Sequence, residues 1–198
     1  LWIGWFCFNA GSALGANNNA GMAMLVTHIS ASTAALVWMF IEWKRFGKPS
    51  LIGIVTGMVA GLATVTPASG YIGVPGALIL GFFGGLLCYV AVDFIRGKLE
   101  IDDSLDVFAV HGVGGIVGAL LTGVFSAPSL GGTGGDDFSI ASQVMIQAEG
   151  VLITMVWSGV VAYICYKVVD LLIGLRVSEE AEREGLDISS HGERAYSN

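Results

Sequence analysis

Two histidines stand inside apolar stretches of this 198-residue chain, where an ionisable side chain is costly and by default marks a pathway. His111 lies in Asp106-Val107-Phe108-Ala109-Val110-His111-Gly112. A neutral imidazole there offers one donor and one acceptor; the plainer reading is a structural histidine bonded to a neighbouring helix carbonyl. His28 has Thr27, Ser30, Ser32 and Thr33 around it, so ordinary hydrogen bonding is the expectation. Asp102, Asp103, Ser104 and Asp106 precede the His111 stretch and suit the free N–H groups of a helix start. A role for them in inner-side gating or proton handling is the alternative. At the N-terminus Trp2, Trp5, Phe6, Phe8, Asn9 and Ser12 combine aromatic rings with a hydroxyl. They form either a packing stripe or a place to hold a small cation by cation–π attraction and hydrogen bonding. Glu149 reads as a helix-end or interhelix partner.

Catalytic motifs are absent. There is no His-Glu-x-x-His, no phosphate loop before a lysine and no Gly-x-Ser-x-Gly elbow, so no enzyme, catalytic residue, cofactor or metal is expected. Cys7, Cys88 and Cys165 fall inside apolar stretches and make neither a disulfide framework nor a metal set. The net charge of −7 belongs to the last 20 residues and a few loops, and no basic stripe exists for nucleic acid.

The elements that position these residues follow from composition. Hydrophobic residues make up 54% of the chain and charged ones 13%, with a mean hydropathy of +0.74. Soluble domains carry about 25% charged residues, so this chain cannot cover a water-facing surface. No Asp, Glu, Lys or Arg occurs from Leu1 to Ile41, from Pro49 to Val92 or from Val107 to Gly135. Each gap accommodates at least one span of ~20 residues. An all-α, polytopic transmembrane helical bundle is expected in the lipid bilayer. Its spans run about Met22 to Trp43, Leu51 to Val65, Tyr71 to Ile95, Leu105 to Phe125 and Ser142 to Leu175. A first helix, Leu1 to Leu14, would cover only ~21 Å and reads as one whose front end is missing. Residues 1–176 form the transmembrane region and 177–198 a tail. Lys44, Arg45, Lys48, Arg96 and Lys98 sit in alternate loops, which places those loops and the C-terminus in the cytoplasm. Gly53, Gly57 and Gly61, Gly81 and Gly85, and Gly114 and Gly118 recur at the four-residue spacing that lets membrane helices approach closely.

Three segments carry a family resemblance: Trp2 to Ser12, the Thr66-Pro67-Ala68-Ser69-Gly70-Tyr71-Ile72-Gly73 turn, and Asp106 to Gly112. They resemble the Amt/Mep/Rh ammonium transporters, the bacterial Amt branch above all, from the sixth helix to the eleventh. The resemblance implies the second half of an inverted-repeat fold plus a long final helix, assembled as a homotrimer in the cell (inner) membrane. It also implies site residues. Ser12 matches an outer ammonium-recruiting hydroxyl, Phe8 a gating ring and Trp5 a pore-lining tryptophan. His111 matches the second of twin pore histidines, and Val107 lines the same passage. Asp103 and Asp106 match structural or gating acids. The first twin histidine belongs to a helix before Leu1, so His28 is not the partner of His111, and the 198-residue piece is not expected to conduct alone.

Val177 to Gly185 reads as a short helix capped by Ser178 and ended by Gly185. The resemblance continues to Tyr196 and implies a regulatory segment that meets PII-type signal proteins. Transport of ammonium or ammonia is the leading function. An ammonium sensor signalling through the tail is the alternative, and an intramembrane enzyme built on Ser12 and His111 has no supporting motif.

Overall fold

The computed structural model describes residues 1–194. Among them there are no strands, and the chain is a succession of eight α-helices with short 3₁₀ and π segments. They are α1 Trp2–Gly11, α2 Asn18–Phe46, α3 Leu51–Val65, α4 Val74–Gly97, α5 Val113–Phe125, α6 Ile140–Ile173, α7 Glu179–Glu184 and α8 Leu186–His191. A 3₁₀ turn, Thr66–Ala68, closes α3, and a π-helical segment, Val107–Gly112, leads directly into α5. Among the described residues five helical segments are long and apolar enough to cross a membrane, one of them joining the π segment to α5. With 10 residues, α1 covers only ~15 Å.

Local chemistry explains where the helices stop. Asn17 takes the Ala20 N–H on its side chain, so α2 begins at Asn18, four residues before the expected start at Met22. Its other end is Gly47 at φ 77°, a left-handed cap. Pro49 follows, and Ser50 opens α3 by accepting the Gly53 N–H. Glu42 accepts the Ser50 N–H at 2.7 Å, so α2 grips the start of α3. Gly174 at φ 80° ends α6 just before Leu175.

The described residues form two compact units, and each is taken by itself. In the first, Leu1–Val151, α2, α3 and α4 pack against one another and α5 packs on α3 and α4. Ser30 marks one close crossing: its hydroxyl donates to the Gly61 carbonyl at 2.9 Å, and Gly81 faces it from α4. A Cβ at Gly81 would lie 2.5 Å from the Ser30 carbonyl oxygen. Gly114 and Gly118 likewise lie against Thr64 on α3. The four-residue glycine spacing therefore does what it does in other membrane bundles: it brings backbones together. One apolar core gathers Val26, Val65, Ile72, Leu80 and Phe125, and a second Trp38, Ala60, Cys88, Tyr89 and Val110.

The second unit begins at Leu152 and carries the rest of α6, then α7 and α8. Ser178 accepts the Ala181 N–H and Gly185 ends α7, as its sequence suggests. Arg176 reaches forward to Glu182 with two bonds of 2.5 and 3.0 Å. That guanidinium holds the Glu182 carboxyl below its ordinary range. The pair is intact above that range and is lost as pH falls through the lowered value. Tyr196 lies outside the described residues.

Candidate functional site

A helix presents residues three and four apart on one side. In α1 this groups Trp5, Phe8 and Ser12, and sets Trp2, Phe6 and Asn9 on the adjoining side toward α2. On the first side the Trp5 indole N–H donates to Thr66 Oγ1 at 2.7 Å. Its ring lies over the His111 imidazole, with centroids 6.3 Å apart and planes 23° from parallel. Phe8 meets Trp5 edge-on at 6.4 Å and 87°. Phe8, Trp5 and His111 thus form a row of rings. Ser12 lies one turn past Phe8 and donates its hydroxyl proton to the Phe8 carbonyl at 2.8 Å, which leaves its oxygen free to accept.

His111 is positioned by an unusual start to its helix. Asp106 adopts φ 54° and ψ 33°, a left-handed turn that Asp tolerates better than most residues. Asp103 folds back and accepts the N–H groups of Val107, Phe108 and Ala109 at 2.7, 3.0 and 3.3 Å. The helix begins at Val107 and not at Leu105, and its first turn is π-helical, a form that concentrates at functional sites. Val107 and His111, four apart, lie about one π turn from each other and so share a side. His111 is therefore a single turn inside its helix.

Asp106 pairs with Arg96 at 3.4 Å. Burial pushes the Asp106 carboxyl above its ordinary range, Arg96 pulls it back, and Asp103 pushes it further up. The left-handed backbone leads to a testable difference. Asp106→Asn removes a half-buried charge together with its Arg96 pair, two effects of opposite sign, and keeps a side chain at home in this conformation, so thermal unfolding should show a change within about 0.5 kcal/mol. Asp106→Ala should cost about 1–2 kcal/mol, because alanine keeps the Cβ that crowds the following carbonyl and loses the short polar side chain whose local hydrogen bonding offsets it. Equal melting of the two variants would refute that account.

His28 differs from its expectation. Its ring lies beside Trp2 at 5.1 Å and Phe6 at 6.0 Å, an aromatic setting on the second side of α1. The neighbouring hydroxyls turn elsewhere: Thr27 donates to the Ala23 carbonyl, Ser30 to Gly61 and Thr33 to Ile29. Their protons go to helix carbonyls, so the imidazole is met by rings. His28 and His111 belong to different sides of α1, with Trp2 and Phe6 against one and Trp5 against the other.

Two features escaped a reading of the sequence. Thr66, 61 residues from Trp5, orients the indole; the only hint was a hydroxyl before Pro67 at a helix end. Asn9, 4% exposed, donates from Nδ2 to Thr27 Oγ1 at 2.9 Å, a buried link between α1 and α2 that spacing does not announce. Among the described residues no cluster of three His, Cys, Asp or Glu side chains is placed to hold a metal ion.

The model of the Ammonium Transporter Family matches residues 1–196. The chain is 50% identical to the ammonium transporter of Aquifex aeolicus over 196 residues, 99% of this chain and 46% of that protein. It is 46% identical to ammonium transporter Amt1 of Archaeoglobus fulgidus, covering 99% of this chain and 50% of that protein. The chain thus spans about half the length of the curated relatives it matches. Among solved structures, one titled Sensor Amt Protein superposes with a TM-score of 0.87 at 32% identity, covering 96% of this chain and 46% of the other. Saccharomyces cerevisiae Mep2 gives 0.80 at 34% identity, covering 87% and 43%.

Proposed function

This chain belongs to the ammonium transporter family, and on that premise we propose that it is the second half of a membrane protein that moves ammonium or ammonia across the bilayer. The observation that carries the reading is the row formed by Phe8, Trp5 and His111, with Ser12 a turn beyond Phe8. Ser12 Oγ accepts an ammonium N–H at the entrance, and the Phe8 face adds cation–π attraction. Behind Phe8 the passage is apolar, with Val107 on its wall, so retained charge is penalised. A proton can leave ammonium and cannot leave potassium, which has the same charge and a similar size. His111 then bonds ammonia or relays that proton. Asp103 and Asp106 set the helix start that presents His111 and Val107.

The full-length protein is a homotrimer in the cell (inner) membrane in this reading. Its C-terminus is cytoplasmic because the basic loops alternate. Residues 1–176 are the membrane part, and the tail from Val177 meets PII-type signal proteins. Ammonium-elicited current from the full-length protein in proteoliposomes tests the transport reading. Phe8→Ala or Ser12→Ala is expected to reduce the current at low ammonium at least tenfold. An intact protein that carries no ammonium current would overturn the reading.

The likeness to the structure titled Sensor Amt Protein, at 96% coverage, supports a second reading in which the same site reports ammonium through the tail. Ammonium binding without flux, together with a changed tail conformation, would favour it.

A further inference from the structure

Ser30 meets Gly81 and, farther along both helices, Arg45 meets Asp93, so α2 and α4 are parallel neighbours. Near their C-terminal ends lies a cleft of ≈ 430 Å³ lined by Arg45, Val90, Asp93, Phe94, Gly97 and Lys98. In the reading above this is the cytoplasmic end of the bundle.

Arg45 is held in place before any ligand arrives. Its Nη1 donates to Asp93 and, at 3.1 Å, to the Tyr89 hydroxyl. Its guanidinium carbon lies 5.2 Å from the Phe46 ring centre and 5.8 Å from that of Tyr89. Among the described residues no acceptor meets Arg45 Nε or Nη2, and Lys98 is in no ion pair. Asp93 is paired with Arg45, so the cleft keeps positive charge in excess. A free guanidinium edge of this kind suits two oxygens of one phosphate.

The wall of the cleft supplies a second requirement. Val90, Phe94 and Gly97 recur at helical spacing, so one face of α4 runs from apolar side chains through bare backbone to Lys98. Val90 and Phe94 are about half exposed there. On α2, Phe40 and Trp43 stack in parallel and are likewise about half exposed. Aromatic rings of that kind gather at the level of lipid headgroups.

We propose that this cleft binds the phosphodiester headgroup of an anionic phospholipid, with Arg45 and Lys98 on the phosphate and an acyl chain along Val90 and Phe94. A soluble anion leaves the apolar wall unused. A zwitterionic headgroup brings its own cation against Arg45 and Lys98. The site goes beyond the transport reading and uses no residue of the ring row.

The full-length protein in neutral detergent is titrated with phosphatidylglycerol or phosphatidylcholine, and bound lipid is counted by native mass spectrometry. A parallel series adds sodium phosphate as competitor at constant ionic strength. Phosphatidylglycerol should bind the more tightly, and Arg45→Gln or Lys98→Gln should each weaken it roughly three- to tenfold. Gly97→Leu should weaken it too. A Cβ at Gly97 meets nothing within 4 Å, so this variant keeps the fold and fills the cleft. Lys48→Gln, outside the cleft, should leave binding unchanged. Arg45→Gln also breaks the Asp93 pair, so Lys98→Gln and Gly97→Leu carry the test if it fails to fold. Equal binding of the two lipids, an equal loss in Lys48→Gln, unchanged binding in Lys98→Gln and Gly97→Leu, or full displacement by phosphate would overturn the lipid site. Lys98-dependent lipid binding by a protein without ammonium current would support the site and overturn transport alone.

Discussion

Replacing Asp103 with alanine in the full-length protein is expected to lower its stability by about 1–3 kcal/mol and to cut ammonium current at least tenfold. The estimate follows from three N–H groups, those of Val107, Phe108 and Ala109, which all bond to one carboxylate. At a helix start these donors have no intrahelical partner, and an anionic acceptor also complements the local positive end of the helix. Charged acceptors give roughly twice the strength of neutral ones. Val107 and Phe108 are more than half exposed in this chain, so water can replace part of the loss, which keeps the figure near the cost of one or two buried bonds.

The two carboxylate oxygens divide the work, Oδ1 taking Val107 and Oδ2 taking Phe108 and Ala109. Asparagine supplies one such oxygen and turns an NH₂ group toward the remaining donors. Asp103→Asn should therefore fall between wild type and alanine. It also removes one of the influences that push the Asp106 carboxyl upward, so Asp106 should titrate lower in that variant. Thermal unfolding and proteoliposome currents, normalised to folded protein, test the claim. If alanine melts lower but each folded molecule conducts normally, Asp103 stabilises the segment without setting His111.

The bundle was legible for physical reasons that this case makes plain. Long charge-free stretches and glycines four apart are local signals, and Gly61 and Gly81 against Ser30 show the second at work. Turn chemistry was legible at Ser178 and Gly185, where cap and stop lie within one short segment. The start of the His111 helix was not. A π turn differs from an α turn by one residue, and here it accompanies the left-handed Asp106 and the reach of Asp103, neither of which alters hydrophobic spacing. Acidic residues before an apolar run announced a cap but not which of them would cap.

Side-chain partners were the least legible part of the site. Trp5 and Thr66 are 61 positions apart, and Asn9 and Thr27 are 18 apart across a turn. Hydroxyls around His28 suggested polar company, yet a hydroxyl in a helix readily bonds the carbonyl one turn back, as Thr27 and Thr33 do. What then remains beside His28 is decided by the rings of α1, which only the packing of α1 on α2 reveals.

Thr66→Val should reduce ammonium current at least tenfold at low concentration, with Thr66→Ser restoring most of it. Valine keeps the branched shape and removes the oxygen that accepts the Trp5 indole N–H at 2.7 Å. A partly buried indole N–H left without an acceptor costs about 1–3 kcal/mol, enough for the ring to turn in search of one. Turning would disturb both contacts of Trp5, the one over His111 and the edge on Phe8. The Leu62 carbonyl also loses a donor, but an under-satisfied carbonyl is tolerated better than an orphaned N–H. Thr66 also lines a cleft beside Ser12, with Asn9, Ser69 and Tyr71, so a single variant cannot say through which neighbour it acts. A cycle with Trp5→Phe can. Phenylalanine has no N–H for Thr66 to hold, so if Thr66 works through the indole, Thr66→Val should have little further effect in that background. If it works through the cleft, the two losses should add in free energy. Strong non-additivity makes Thr66 the positioning residue for Trp5, and additivity shifts its role to the oxygens beside Ser12.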